Sequence, residues 1–296
     1  MTRILQVSDT HLSRTHPLFQ FNFEITLREI ERQKPDLVVY TGDLSLNGPD
    51  NPDDVRYAHE QIRRTTCTHF ALPGNHDIGL SPVDHAEGVH AEQLVNESRL
   101  GHYRDTFAYD RFKTDVGGWR VIGLNSQLLG SGLPGEEEQF DWFRDALDCD
   151  RPVALFMHYP VFVQDPGSTT DGHYALPYQA RQDLLAEFAR AGNVRMVGTG
   201  HLHQAKSTQI ENTRFEWAPS SAFVIPGPAL DAFGGNQVTG MLLHEFDGDR
   251  VKTTTIEPEL IINVDLRNWS KSKPHGYYQV VRQPWLLDRE PQREAA

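Results

Sequence analysis

Five short apolar runs in this chain end alike: strand-forming residues stop, and residues able to bind a metal follow at once. The clearest is Asp36-Leu37-Val38-Val39-Tyr40-Thr41-Gly42-Asp43-Leu44. A short run rich in β-branched and aromatic residues reads as a buried strand. Apolar on both faces, it belongs to a sheet covered on both sides. In open α/β sheets ligands bind just beyond the carboxyl ends of the strands, which places Asp43 at the rim where chemistry would sit. The other four exits carry Asp9 and His11, Asn75 and His76, His158, and His201 and His203. Parallel strands bring such ends to one edge, so residues far apart in sequence converge. Asp9 and His11, like His201 and His203, stand two apart, and in extended backbone each pair faces one side.

The chain in order supports this frame. Strands are expected at 3–7, up to Asp43, and at 68–72, with helices at 23–34 (closed by Pro35) and 53–64 (entered by Pro52) between them. This β–α–β–α–β alternation implies a parallel sheet with right-handed crossovers. Residues 79–118 are polar and weakly patterned, with a short helix expected at 91–95. A strand at 119–125, a helix at 136–147 and a strand at 152–157 follow. The loop 164–177 leads to a helix at 178–190 capped by Gly192, and then to a strand at 194–197. Beyond it the helical period disappears. Strands are expected at 214–217, 240–246, 250–257 and 260–266, with Asp247-Gly248-Asp249 as a hairpin turn. Residues 1–266 read as one domain and 267–296 as an extension. Its strand candidate at 277–281 would complete the chain's own sheet or pair with a neighbour as a homo-oligomer.

Composition narrows the partners. A net charge of −13 over 296 residues disfavours nucleic-acid polymers and anionic membranes. It is silent on a local phosphate site whose bound ions reverse the local sign. Cys67 and Cys149 stand in no metal or redox spacing and read as small buried residues. The first residues form a strand-length run with no secretory h-region, and no apolar stretch is long enough to span a bilayer. A cytoplasmic protein is the expectation.

The ligand types specify the chemistry. Carboxylate, imidazole and amide oxygen without thiolate suit Mn, Fe or Zn. Eight candidates over-supply one ion, whereas two ions sharing a bridging carboxylate use the set naturally.

In this ordered set the sequence resembles the calcineurin-like metallophosphoesterases. Their signature is present as Asp9-Thr10-His11, Gly42-Asp43, Gly74-Asn75-His76-Asp77, His158 and Gly200-His201-Leu202-His203. The resemblance implies an α/β fold, a four-layer α/β/β/α sandwich with a largely parallel first sheet and a mixed or antiparallel second one. It implies that Asp9, His11, Asp43 and His203 hold one metal, and Asp43, Asn75, His158 and His201 the other. His76 is then the catalytic histidine; Asp77 either orients it or is structural. The protein-phosphatase branch has Asp-Arg-Gly after its Gly-Asp and Glu after Gly-Asn-His. Here Leu44-Ser45-Leu46-Asn47-Gly48 and Asp77 stand there, and the bidentate phosphate clamp an arginine provides is missing. The pattern is closer to the branch of cyclic-nucleotide and glycerophosphodiester phosphodiesterases, although Leu46 replaces an Asp carried by many of its members.

The expected function is therefore a dinuclear metal-dependent phosphodiesterase of a small-molecule phosphate ester, acting through a hydroxide shared by two Mn, Fe or Zn ions. Asn75, His76 and, from its loop, His173 are candidate substrate contacts, with loops 79–118 and 164–177 as lids. Two alternatives keep the fold: a phosphomonoesterase at the same site, and a non-catalytic scaffold. The remaining histidines, Asn125, Trp142, Phe143 and Trp217 read as surface, turn or packing residues.

Overall fold

The computed structural model describes residues 1–82, 93–225, 227 and 231–265. The first sheet starts with β1 (Thr2–Val7), β2 (Leu37–Thr41) and β3 (His69–Leu72), joined by helices α1 (Gln20–Gln33) and α2 (Pro52–Ile62). These strands are parallel. On the other side of β1 the hairpin β10 (Met241–Asp247) and β11 (Arg250–Ile256) adds antiparallel strands, giving the order β11-β10-β1-β2-β3. The second sheet contains β4 (Phe112–Val116), β5 (Trp119–Gly123), β6 (Val153–Phe156), β7 (Val194–Thr199), β8 (Lys206–Ile210) and β9 (Thr213–Trp217). Its order is β4-β5-β6-β7-β9-β8, parallel from β5 through β9 and antiparallel at both edges.

Alternation along the strands assigns the layers. Ile4, Leu37, Val39 and Leu72 of the first sheet meet Val121, Ala154, Phe156 and Met196 of the second, forming the central core. The intervening residues Leu5, Val7, Val38 and Tyr40 face outward onto Phe23 and Ile30 of α1 and Val55, Ala58 and Ile62 of α2. On the far side, Ile122, Val153, Leu155 and Val197 pack on Phe143 and Leu147 of α5 (Pro134–Leu147) and Leu184 and Phe188 of α6 (Tyr178–Ala191). This is the four-layer sandwich. Helix boundaries follow local chemistry: α2 and α5 open on Pro52 and Pro134, and α6 stops where Gly192 turns left-handed at φ 67°.

Several elements differ from expectation. After the short helix α3 (Asn75–Ile78), a full helix, α4 (Glu97–Phe107), and β4 lie within 79–118. α4 buries only Leu100, Tyr103 and Phe107, a stripe too narrow to announce itself, and Asn96 caps it by accepting the Arg99 N–H. An ordered helix and strand therefore lie in the second half of that segment. β8 is an edge strand whose side chains alternate between half-exposed and exposed, so it carries no apolar signal. The strand expected at 260–266 is absent among residues 260–265. Leu260 and Ile262 are exposed, and the Asn22 amide holds the Ile262 backbone on both sides, as a neighbouring strand would. In the expected 91–95 helix, residues 91 and 92 are outside the described residues and Leu94 bridges Leu80. The extension 267–296, with its strand at 277–281, also lies outside them. Both cysteines are free and half-buried. Among the described residues no helix is long and apolar enough to cross a membrane.

One polar network crosses the central core. Gln6 Nε2 donates to Thr41 Oγ1 and to the Thr199 carbonyl of the opposite sheet, both at 3.1 Å. Its Oε1 must then accept, so His244 donates from Nε2 (3.0 Å) and accepts from Thr253 Oγ1 at Nδ1 (2.9 Å). Burial, with nearby Arg214, pushes the His244 pKa down to about 3. Below about pH 6.5 the unfolded chain takes up a proton that the folded chain refuses, so this group's contribution is complete above pH 6.5 and is lost as pH falls. By pH 5 the loss is about 2 kcal/mol. Urea unfolding of His244→Gln and wild type at pH 7.5 and 5 should show a smaller acid-induced drop in the variant. Equal drops would contradict it.

Candidate metal centre

The exits of β1, β2 and β3 face those of β6 and β7 across the sandwich, and the predicted residues meet there. Asp9, His11, Asp43, His76, His158 and His203 are all buried. Among the described residues three groups each offer ligand atoms within 4.8 Å of one another: Asp9, His11 and His203; His11, Asp43 and His76; and Asp43, His158 and His201. Asp43 and His11 each belong to two groups.

The backbone reaches this arrangement by a route that alternation does not describe. Asp9, His11, Asp43, His201 and His203 all have positive φ, between 44° and 69°. Such conformations cost an L-residue about 1–3 kcal/mol and persist only where the surroundings over-determine them. The pairs two apart thus converge through left-handed turns, not extended chain. The turns are pinned by hydrogen bonds that carry the β1–β2 pairing past the strand ends: Asp9 N–H to the Gly42 carbonyl and His11 N–H to the Asp43 carbonyl, each 3.0 Å. Ser220 Oγ donates to the Asp9 carbonyl (2.8 Å), and the His201 N–H to Asp9 Oδ2 (3.1 Å).

Ring orientation is set by main-chain carbonyls, which can only accept. His158 donates from Nδ1 to Thr41 (2.8 Å), His203 from Nδ1 to Phe223 (3.0 Å), His76 from Nδ1 to Leu46 (2.7 Å) and His201 from Nε2 to His173 (2.8 Å). Each ring is left with its other nitrogen as a lone pair directed to the site. These lone pairs meet further acceptors. His203 Nε2 is 3.2 Å from Asp9 Oδ1 and 3.4 Å from His11 Nε2, and Asp9 Oδ1 is buried without a hydrogen-bond partner. His158 Nε2 is 3.3 Å from Asp43 Oδ1 and 3.1 Å from Asn75 Oδ1. Acceptors facing acceptors in a buried site require a proton or a cation between them.

The titration behaviour expresses the same demand. Burial alone would raise both carboxylates, yet the histidines hold Asp9 at about 2 and Asp43 well below the usual range. Burial would lower His158, but Asp43 lifts it to about 9. His11, buried and facing His76, is well below its ordinary value. The donor set of carboxylate, imidazole and amide oxygen fits transition-metal ions such as Mn, Fe or Zn, with no thiolate present.

Several supporting residues carry no metal-binding signal of their own. Asp77 touches not the His76 ring but the loops: it accepts from the N–H groups of Leu44 (3.1 Å), Ser45 (2.8 Å) and Gly74 (2.8 Å) and from Ser45 Oγ (2.7 Å). It ties the Asp43 turn to the Asn75–His76 turn, and burial and Asp43 push its pKa up to about 6. Two motif glycines are required by close approach. A Cβ on Gly42, whose φ is +87°, would stand 2.5 Å from His158 Nδ1, and one on Gly74 would stand 2.3 Å from Asp43 Oδ1. Ser220 and the Phe223 carbonyl, which orient Asp9 and His203, come from a small polar segment that a search by ligand type passes over. Phe223 also lies against the rings of His11 and His203, at 4.8 and 4.5 Å. His173 is exposed and reaches the centre through its carbonyl.

The family model for calcineurin-like phosphoesterases matches residues 2–205. The chain belongs to this family. The phosphoesterase is 25% identical over 266 residues to a 3',5'-cyclic-nucleotide phosphodiesterase of Nostoc sp., covering 86% of this chain and 91% of that one. It is 24% identical over 217 residues to a protein named "Probable glycerophosphodiester phosphodiesterase" from Arcobacter nitrofigilis, covering 69% and 73%. Its fold matches the crystal structure of a dimetal phosphatase from Danio rerio with a TM-score of 0.58 at 12% identity, over 86% of this chain and 97% of that one.

Replacing Asp77 with alanine in this phosphoesterase leaves four buried donors without their acceptor. Asp77→Ala should lose at least about 3 kcal/mol of stability in urea unfolding. A variant within 1 kcal/mol of wild type would show that the clamp is dispensable.

Proposed function

We propose that this chain is a dinuclear metal-dependent phosphodiesterase of small-molecule phosphate esters. The observation that carries the reading is the position of Asp43, the one carboxylate shared by two groups of inward-facing acceptors. In this reading Asp9, His11, Asp43 and His203 hold one ion, and Asp43, Asn75, His158 and His201 hold the other. When bound, such a pair supplies Lewis-acid charge to phosphoryl oxygens and lowers the pKa of a nearby water toward ~7.

The chain's own residues do the rest. His158, His201 and His203 present one fixed nitrogen each, because a carbonyl claims the other. Asp43 is anchored by the His76 N–H at 2.7 Å, so the shared ligand and the catalytic histidine are positioned together. His76 keeps a proton on Nδ1 through Leu46, and a second one taken up at Nε2 is what it donates to the leaving oxygen or to the phosphoryl group. The buried rings of Phe19 and Phe223 wall the His11 side and keep water from the ligands.

Diester over monoester is favoured by the lack of an arginine clamp after Gly42-Asp43, since a dianionic monoester gains most from a bidentate guanidinium. The names of the Nostoc and Arcobacter relatives agree, and cyclic nucleotides and glycerophosphodiesters are the first substrates to try. Manganese, iron and zinc are the candidate metals.

In elemental analysis paired with hydrolysis of bis-p-nitrophenyl phosphate and p-nitrophenyl phosphate in Mn, wild type should carry two ions and cleave the diester faster. Asp43→Ala should lose metal and activity together. His76→Ala should keep its metal and lose turnover by roughly 10²–10⁴. Faster monoester cleavage would move the substrate class to phosphomonoesters, and wild-type diester turnover by His76→Ala would remove its assigned role.

A further inference from the structure

Arg181, on α6, is the one arginine or lysine that is fully buried among the described residues. Its Nη2 pairs with Asp171 Oδ2 at 2.9 Å and donates to the Leu176 carbonyl at 3.0 Å. Nη1 donates to the carbonyls of Ser168 (2.7 Å) and Pro166 (3.3 Å). Asp171 in turn accepts from Ser168 Oγ (2.7 Å) and the Val163 N–H (3.3 Å). One guanidinium and one carboxylate therefore tie the whole 163–176 loop to a helix. Burying such a pair costs desolvation that its attraction barely repays, so it is weak as a device for stability alone. Burial lowers the Arg181 pKa from the ordinary guanidinium value even with Asp171 beside it.

The loop holds one group that reaches the centre. Two residues beyond Asp171, the His173 carbonyl accepts the His201 Nε2–H at 2.8 Å. That bond selects the His201 tautomer and turns its Nδ1 toward Asp43 and His158. Tyr159, whose ring lies 4.3 Å away and tilted by 37°, limits the ring's swing but cannot choose its tautomer. We propose that Arg181 and Asp171 are positioning residues for the second ion. They act through the loop, by holding the His173 carbonyl where it orients His201. The inference rests on the reading that His201 is a ligand of that ion.

Loss of an outer partner of a ligand typically costs 10–100-fold in metal affinity. The test is Mn(II) titration by calorimetry, with elemental analysis, on wild type, His201→Ala, the double variant Arg181→Met/Asp171→Asn, and Arg181→Lys. The double variant removes both charges, so neither is stranded in the interior. Arg181→Lys keeps the charge but not the planar fork that reaches several carbonyls. Wild type should bind two ions, and His201→Ala should lose one. The double variant should bind the first ion as wild type does and the second about 10–100-fold more weakly. Arg181→Lys should fall between. Loop scaffolding with no link to the metal would leave both affinities unchanged, and that result in the double variant, with His201→Ala losing an ion, overturns the inference. If the double variant does not fold, wild-type affinity for both ions in Arg181→Lys overturns it equally. Two ions retained by His201→Ala would overturn the ligand assignment and this inference with it.

Discussion

The structure depends on keeping the Asp43 carboxylate ionised where water cannot reach it. It is 2% exposed, accepts the His76 N–H, and lies within 4 Å of His158 and His11. A buried carboxylate needs donors or positive charge, and each neighbouring side chain can supply these only by holding a proton or sharing a cation. Much of the local architecture follows from that need. The Asp77 clamp fixes the two loops, and Gly42 and Gly74 let His158 and Asp43 approach. The carbonyls of Thr41, Leu46, Phe223 and His173 turn the imidazoles so that their lone pairs converge. Each device spends backbone polarity on orientation instead of on secondary structure.

The left-handed residues express the same constraint in the main chain. Five ligand candidates adopt a conformation that glycine tolerates far better. Glycine there would relieve the backbone and leave no ligand. The strain is confined to the strand exits, while the strands below keep regular pairing and clean inside–outside alternation. The rigid sandwich is what over-determines the turns: β1 and β2 are locked by parallel pairing, and Gln6 bridges them to β7 through the core.

The apolar framework and the clustering of metal-capable residues were legible in the sequence because both depend on residue type. Strands such as 37–41 are continuously apolar, and the ligands belong to types with few other reasons to end five strands. What could not be read depends on partnership. α4 is held by three buried side chains, β8 by its ladder to β9, and Ile262 by an asparagine 240 positions away. Ser220, Asp77 and Arg181 are ordinary polar residues whose roles exist only relative to the backbone groups they meet. The extended-chain argument for Asp9 and His11 reached the right neighbours by the wrong geometry. Spacing constrains which residues can meet, whereas dihedral angles decide how.

In the proposed assignment the ligands of each ion come from both sheets: Asp9, His11, Asp43 and Asn75 extend from the first, and His158, His201 and His203 from the second. Hydrogen bonds such as Gln6 to Thr199, His158 to Thr41 and Trp119 to Gly248 already link the sheets, and a cation held between them would add a cross-link between the halves of the core. Ligands that bind only the folded state stabilise it by about RT ln(1 + [L]/Kd), roughly 2.7 kcal/mol at a hundredfold excess over Kd. In that assignment the persistence of the fold would be coupled to metal supply. In a metal-poor environment such a chain would give up its chemistry and that cross-link together.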